Sequence, residues 1–336
     1  MTDLAQWQAN NDQYLGLALQ WLRLRLARLA TGDNGLGDEI AAVAERMASV
    51  TDPRWPETPP PALRLLGQQF GLSSFEEEIL LLCAGLELDT GVADLCAQAQ
   101  GNPGRNYPTF ALALALFDDP VWEALAPEGP LRFWHLLEIH QPAGAALTAS
   151  ALRADERIVN YLKGLNTLDD RLDPFLYPFV DAPEQLPPSQ TTMVDEILTH
   201  LRPEDRRSPV IQLLGADSAS KQLVAQAAAD RLRLQLYRLP VNMLPDPADE
   251  LNRLQRLWQR EAALLPVALY IDSHHAAGGE QESSNSDHQL ARLDRFLARQ
   301  AGICFVAARD TLPNLDAPSI PLEVDRPTPA EQREAW

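Results

Sequence analysis

Leucines 15, 19, 22, 26 and 29 recur at alternating spacings of four and three, with Arg23, Arg25 and Arg28 beside them. That register predicts one long amphipathic helix over residues 4–30, with a helical-domain core as its natural place and an intermolecular docking helix as the alternative. A glycine-rich turn, Gly32 to Gly37, and a second short helix, Asp38 to Ser49, follow. The Pro-rich stretch Asp52 to Pro61 then reads as a linker, which delimits an N-terminal helical segment of residues 1–58.

Between Pro61 and Leu176 the apolar periodicity is helical and then changes. Ala62 to Phe70, Phe75 to Leu88, Val92 to Gln100 and Phe110 to Phe117 read as helices, with Ser73 or Ser74 and Thr109 as N-caps. Leu131 to Ile139 and Ala145 to Leu152, joined by His140-Gln141-Pro142-Ala143-Gly144, read as a hairpin, and Asp155 caps a helix through Leu165. Helices followed by a β-wing predict a winged-helix-like domain over residues 59–180. A second Pro-rich linker, residues 181–190, separates it from a region of regular alternation, residues 191–336. Strands are expected at 209–214, 234–239, 266–271, 302–308 and 319–324, with helices at 218–233, 247–263 and 287–300. The fold class is therefore α/β multidomain: an all-α N-terminal region with a winged-helix-like domain, then a doubly wound parallel sheet.

Composition narrows the function. A chain of 336 residues holds two or three domains. No apolar run approaches the roughly 18 residues that would cross a membrane. The N-terminus lacks the basic region of a signal peptide, so the expected location is cytoplasmic. Cys83, Cys96 and Cys304 each lie inside an apolar pattern and read as buried reduced thiols. The net charge of −19 repels phosphate backbones. Between residues 61 and 180 there are 16 acidic and 7 basic residues, the wrong bias for a helix that enters a nucleic-acid groove. The wing is thus expected to contact protein or act as a spacer, and neither nucleic acid nor membrane is expected as a partner.

The candidate chemistry lies at Gly215-Ala216-Asp217-Ser218-Ala219-Ser220-Lys221-Gln222, which has the register of the phosphate-binding loop G-x-x-x-x-G-K-[ST] but only two of its four fixed positions. Lysine there is not background, because Lys163 and Lys221 are the only lysines in the chain. A working loop needs glycine before the lysine so that backbone N–H groups approach phosphate, and a hydroxyl after it to bind Mg²⁺; those slots hold Ser220 and Gln222. If the Ser220 slot demanded positive φ, a non-glycine residue would cost about 1–2 kcal/mol there. The apolar run before Gly215 and the alanine-rich stretch after it give strand, loop and helix. Downstream, Pro266 to Asp272 has the form of a Walker B strand whose carboxylate orients hydrated Mg²⁺, but Ser273 replaces the glutamate that polarises water. A positioned general base is typically worth about 10²–10⁴-fold in rate. The expectation is a vestigial nucleotide site at Gly215, Lys221 and Asp272 with no catalytic residue, no metal site and weak or absent nucleotide binding.

With both motifs placed, residues 205–336 resemble the large subdomain of an AAA+ ATPase. The wider chain resembles the tandem AAA+ ATPases with a winged-helix N-terminal region that accompany phage-tail-like contractile injection systems. The wider resemblance rests on Phe70 to Leu81, Leu152 to Leu162 and the two decayed motifs. It implies a degenerate first module, ATP and Mg²⁺ handled by a second one, a hexamer, and injection-system proteins as partners, with no cofactor expected in this stretch. The sensor-1 position falls near Arg309 or Asp310, and Thr311 to Ser319 contains no arginine finger. Thr328-Pro329-Ala330-Glu331 is a capping box that opens a helix shortly before Trp336, from which a truncated large subdomain lacking its lid is expected.

Weaker candidates complete the inventory. His274, His275 and His288 flank the polar loop Ala276 to Asp287 without ligand-like spacing, and His135 and His140 read as structural. Glu76-Glu77-Glu78 near a helix start reads as a solvated face. The leading function is a non-catalytic interaction and scaffold segment. The alternatives are an active P-loop enzyme with a base from elsewhere, such as Glu261, and a winged-helix regulator of nucleic acid.

Overall fold

A computed structural model describes residues 2–50, 59–179, 186–201, 208–273, 283–312 and 315–334. The chain divides into two compact units, residues 1–167 and 168–336. The first linker reading, Asp52 to Pro61, lies mostly outside the described residues, as do residues 181–185 of the second.

The first unit is built on α1 (Thr2–Thr31), whose buried Leu15, Leu22 and Leu26 face α2 (Gly37–Val50), α4 (Ser74–Leu88) and α5 (Gly91–Ala99). Between α2 and α4 comes α3 (Ala62–Phe70), closed by Gly71 in the left-handed conformation at φ +68°. Helix α4 starts with the capping box: Ser73 accepts from Glu76 N, and the Glu76 carboxylate accepts from Ser73 N at 2.9 Å. Ser73, not Ser74, is therefore the cap, and Glu76 is 6% exposed. Glu77 is ion-paired with Arg64, so these two glutamates are not the solvated face the sequence suggested.

Helix α6 (Phe110–Leu116), capped by Thr109, is followed by a single helical turn, α7 (Pro130–Phe133). Pro130 at its first position favours helix over the strand expected from residue 131, and His135 at φ +50° redirects the chain. Strand β1 (Leu137–His140) therefore starts late, and it pairs antiparallel with β2 (Ala151–Ala154). The second strand is also shorter than expected, because Leu147–Ala149 form a 3₁₀ turn. Asp155 caps α8 (Glu156–Leu162), which ends before Leu165 because Gly164 turns at φ +80° and Leu165 N closes back on Asn160 O at 2.9 Å.

The second unit is a six-stranded sheet in the order β3-β5-β6-β7-β4-β8. Its parallel strands are β4 (Val210–Leu214), β5 (Gln235–Pro240), β6 (Val267–Asp272), β7 (Ile303–Ala307) and β8 (Ser319–Glu323). The two-residue β3 (Tyr177–Pro178) adds antiparallel to β5 at one edge. Proline at 321 in the outer strand β8 discourages further pairing there. Strand pleat sorts the core onto two faces. Ile211, Leu213, Ala268, Tyr270 and Phe305 pack with α9 (Pro188–His200) and α10 (Ser218–Arg231). Val210, Leu269, Ile271, Cys304 and Val306 pack with α11 (Ala248–Leu264) and α12 (Ser283–Leu297). The doubly wound sheet expected from the alternation is present.

Helix α9 is missing from the sequence reading because Pro187-Pro188 resembles a linker. Proline is in fact well suited to the first helical turn, and Val194 and Ile197 anchor the helix in the core. The expected terminal helix, α13 (Pro329–Glu334), has its capping box, and the Glu331 carboxylate also accepts from Ser189 N at 2.8 Å at the start of α9. All three cysteines are free and buried, and burial pushes the Cys96 thiol up to about 12. Among the described residues no helix is long and apolar enough to cross a membrane, and none of the His, Cys, Asp or Glu residues group as metal ligands.

Residues 168–178, grouped with the winged-helix-like region by sequence, belong to the second unit, where Asp169 is ion-paired with Arg260 and Arg171. Arg260 and Asp169 are 0% and 1% exposed. Burial alone would raise the Asp169 carboxyl, but hydrogen bonds from Arg171 and the charges of Arg260 and Arg171 outweigh it and hold it at about 2. A carboxyl depressed in the folded state contributes stability above its unfolded pKa and loses it as pH falls through the folded value. Asp169→Asn is expected to cost about 2–4 kcal/mol at pH 7 in denaturant unfolding, with the deficit against the parent shrinking between pH 4 and 2. A deficit that does not change over that range contradicts the assignment.

Candidate functional site

Strand β4 ends at Leu214, and the next residue must turn sharply beside the end of β8. Gly215 sits at φ +121°, and a Cβ there would lie 2.8 Å from the Val324 carbonyl oxygen, so glycine is dictated by backbone approach. Its N–H donates to Arg309 O at 3.1 Å. Beyond it the loop is cut short: α10 begins at Ser218, three residues before Lys221. Ser220 is therefore ordinary helix, outside the set of non-glycine residues with positive φ, and carries none of the conformational cost considered for its slot.

The helix start is occupied from within the chain. Asp217 is the N-cap; its carboxylate accepts from Ser220 N at 3.2 Å and from Ser220 Oγ at 2.6 Å. These hydrogen bonds, led by the Ser220 hydroxyl, hold the Asp217 carboxyl below the usual range, and Arg326 approaches its other oxygen at 3.4 Å. The Lys221 N–H points at Asp217 O. An anion at a helix N-terminus is stabilised by the exposed N–H groups and the macrodipole. Here the anion is Asp217 itself.

Lys221 is fully buried. Its Nζ donates to Gly215 O and to Ala308 O, both at 2.7 Å. The ammonium therefore ties the loop after β4 to the end of β7, which adjoins β4 in the sheet. Burial, opposed by the charge of Asp272, pulls its pKa down to about 8. Gln190 of α9 donates to Ser220 Oγ at 2.9 Å, and Gln222 donates weakly to Ser218 Oγ at 3.3 Å.

Asp272 ends β6 and is 5% exposed. It is ion-paired with Arg238 of β5, which stands diagonally across the ladder because Arg238 pairs with Tyr270. Ser273 turns both its N–H and its hydroxyl onto Ala307 O, at 3.1 and 2.6 Å. The position at which the Walker B resemblance would place a glutamate is thus bonded to the sheet. Burial and the charge of Asp272 raise the Tyr270 phenol, two residues earlier.

The structure brings the sequence-predicted trio to the carboxyl ends of the parallel strands, with Lys221 bonded to Gly215 and Asp272 near enough to act on it electrostatically. Yet these residues do not fit ATP and Mg²⁺. Presenting Lys221 to phosphate breaks two charge-assisted hydrogen bonds worth about 1.5–3 kcal/mol each. That is a loss of about 10²–10⁴-fold in affinity. The helix start would also have to expel Asp217, and Asp272 would have to leave Arg238. Arg309 and Asp310 follow β7 and, with Glu323 and Asp325, line a cavity of about 240 Å³ beside Gly215. Glu261, offered as a replacement base, is excluded: it is 0% exposed, ion-paired with Arg260, and on α11 across the sheet from α10. His288 is exposed, His140 lies 3.7 Å from the Glu138 carboxylate, and His274 and His275 lie outside the described residues.

Two residues that decide the site went unread in the sequence. Asp217 had a signal, a capping residue three before Ser220 at the head of an alanine-rich helix. Arg238 had none, since its partner depends on strand register. For Lys221, a folded pKa below the unfolded value of about 10.4 means that the unfolded chain holds more protons between pH 8 and 10.4, so this group makes stability rise with pH there. Relative to Lys221→Met, the parent is expected to gain about 2–3 kcal/mol between those limits in denaturant unfolding. A constant difference contradicts a buried, protonated Lys221.

A comparison with curated proteins finds no match to the chain. Residues 38–176 match the family described as winged helix domain, variant, so the helices and the β1–β2 wing form a winged-helix domain whose match extends past the division between the units.

Proposed function

We propose that this chain is the non-catalytic interaction and scaffold part of an AAA+ ATPase, its α/β unit a first ATPase module that has kept its architecture and lost its chemistry. The observation that carries this reading is the Lys221 ammonium, buried and donating to the Gly215 and Ala308 carbonyls instead of facing a ligand site. Asp217 at the helix start, Ser273 turned onto β7, and Asp272 paired with Arg238 support it. So does the placement of both motifs at the carboxyl ends of parallel strands, where ligands of open α/β folds bind. In this reading hydrolysis belongs to a second module. The wider resemblance, which spans most of the chain, extends the proposal to a hexameric, cytoplasmic ATPase serving a contractile injection system.

The winged-helix domain is assigned to protein contacts. Helix α6, which precedes the wing, reads Phe-Ala-Leu-Ala-Leu-Ala-Leu, and α5 carries no basic residue either. Neither has a basic side chain to neutralise phosphates, and α6 has no polar side chain at all to meet a base edge. The wing's Arg153 is held by Glu87 at 2.9 Å.

Calorimetric titration of the chain with ATP or ADP and Mg²⁺ is expected to give no saturable heat up to millimolar nucleotide. Micromolar binding that Lys221→Ala abolishes contradicts the scaffold reading. Fluorescence anisotropy with a DNA duplex at about 50 mM salt is likewise expected to stay flat, and salt-sensitive saturation there returns the domain to nucleic acid.

A further inference from the structure

Three consecutive glutamates open α4, and two have a structural role. Glu76 closes the capping box with Ser73, and Glu77 is ion-paired with Arg64. Glu78 forms no hydrogen bond or ion pair among the described residues. It is half-buried at a cavity of about 260 Å³ between α1, α2, α3 and α4, whose apolar walls include Trp21, Met47, Leu63 and Leu81.

Arg64 and Arg25, the described cations that act on it, are already engaged. Arg64 holds Glu77 and lies over the Tyr14 ring at 6.0 Å. Arg25 donates to Leu116 O at 2.7 Å and to Asp118 at 2.8 Å, and stacks 5.0 Å from the Trp21 ring centre. Burial raises the Glu78 carboxyl to about 7, against the charge of Arg25, with Asp118 and Glu77 adding to the rise and Arg64 opposing it. An anion in such a setting is costly until a cation meets it.

We propose that this cavity receives a lysine or arginine side chain of a partner polypeptide, its aliphatic stem against Met47, Leu63 and Leu81 and its charged head on Glu78. The volume suits one long side chain and falls below the 300–1,000 Å³ usual for small-molecule sites. One apolar stem and one ion pair bind weakly alone, so the neighbouring residues of a polypeptide must supply the rest of the affinity. A chain of net charge −19 also selects basic partners over acidic ones. The site is independent of the reading given to the α/β unit.

The test uses methyl-labelled methionine, since the chain holds four methionines and Met47 alone lines this cavity. The probes are a blocked hexapeptide containing one arginine, the same peptide with citrulline, and agmatine. The arginine peptide is expected to move the Met47 methyl signal saturably, and the citrulline peptide to leave it in place. Glu78→Gln, which keeps the shape and removes only a half-buried charge, is expected to weaken binding at least tenfold with unchanged circular dichroism. Affinity is expected to rise between pH 6 and 8, because a cation binds the ionised carboxyl and binding releases its proton. A Met47 signal unmoved at millimolar peptide, or equal affinity in Glu78→Gln, overturns the site. Agmatine binding as tightly as the peptide overturns the polypeptide as its occupant.

Discussion

The buried Lys221 ammonium is the contact around which the carboxyl ends of β4 and β7 are arranged. By donating to Gly215 O after β4 and Ala308 O after β7, it crosslinks the ends of two adjacent strands. A buried cation is tolerated only with such partners, and two carbonyl oxygens without it would be left short of donors. The same hydrogen bonds that stabilise the fold remove the lysine from any phosphate. In this loop one side chain serves either structure or ligand, and here it serves structure.

The neighbouring charges follow the same logic. Asp217 takes the helix N-terminus, Arg238 neutralises Asp272, and Ser273 bonds the sheet. Each group a nucleotide site would use has an internal partner at hydrogen-bonding distance. Releasing Lys221 alone would still leave Asp217 at the helix start.

Much of the fold was legible where local rules decide it. The leucine register of α1, the caps Ser73, Thr109 and Asp155, and the alternation of strands and helices after residue 209 are all local features, and they stand. Errors came where one residue has two uses. Pro130 and Pro188 begin helices but look like breakers, and the stretch beginning at Leu131 has a strand's apolarity but follows a proline that starts a turn. Residues 168–178 pack with the second unit through an Asp169–Arg260 pair that spans 91 positions, whereas the winged-helix family match extends to residue 176. In the site, Gly215, Lys221 and Asp272 were readable from spacing, whereas the direction in which Lys221 and Asp272 point depends on partners set by sheet register.

The central claim is that Lys221 is a structural cation. The chain has only two lysines, Lys163 and Lys221, so ε-labelled lysine gives two resolvable signals, and Lys163, ion-paired with Asp12 on the surface, is an internal reference. The account predicts a Lys221 signal that titrates near pH 8 and does not move when ATP and Mg²⁺ are added in millimolar excess. A Lys221 signal that shifts saturably with nucleotide while Lys163 stays fixed would contradict it.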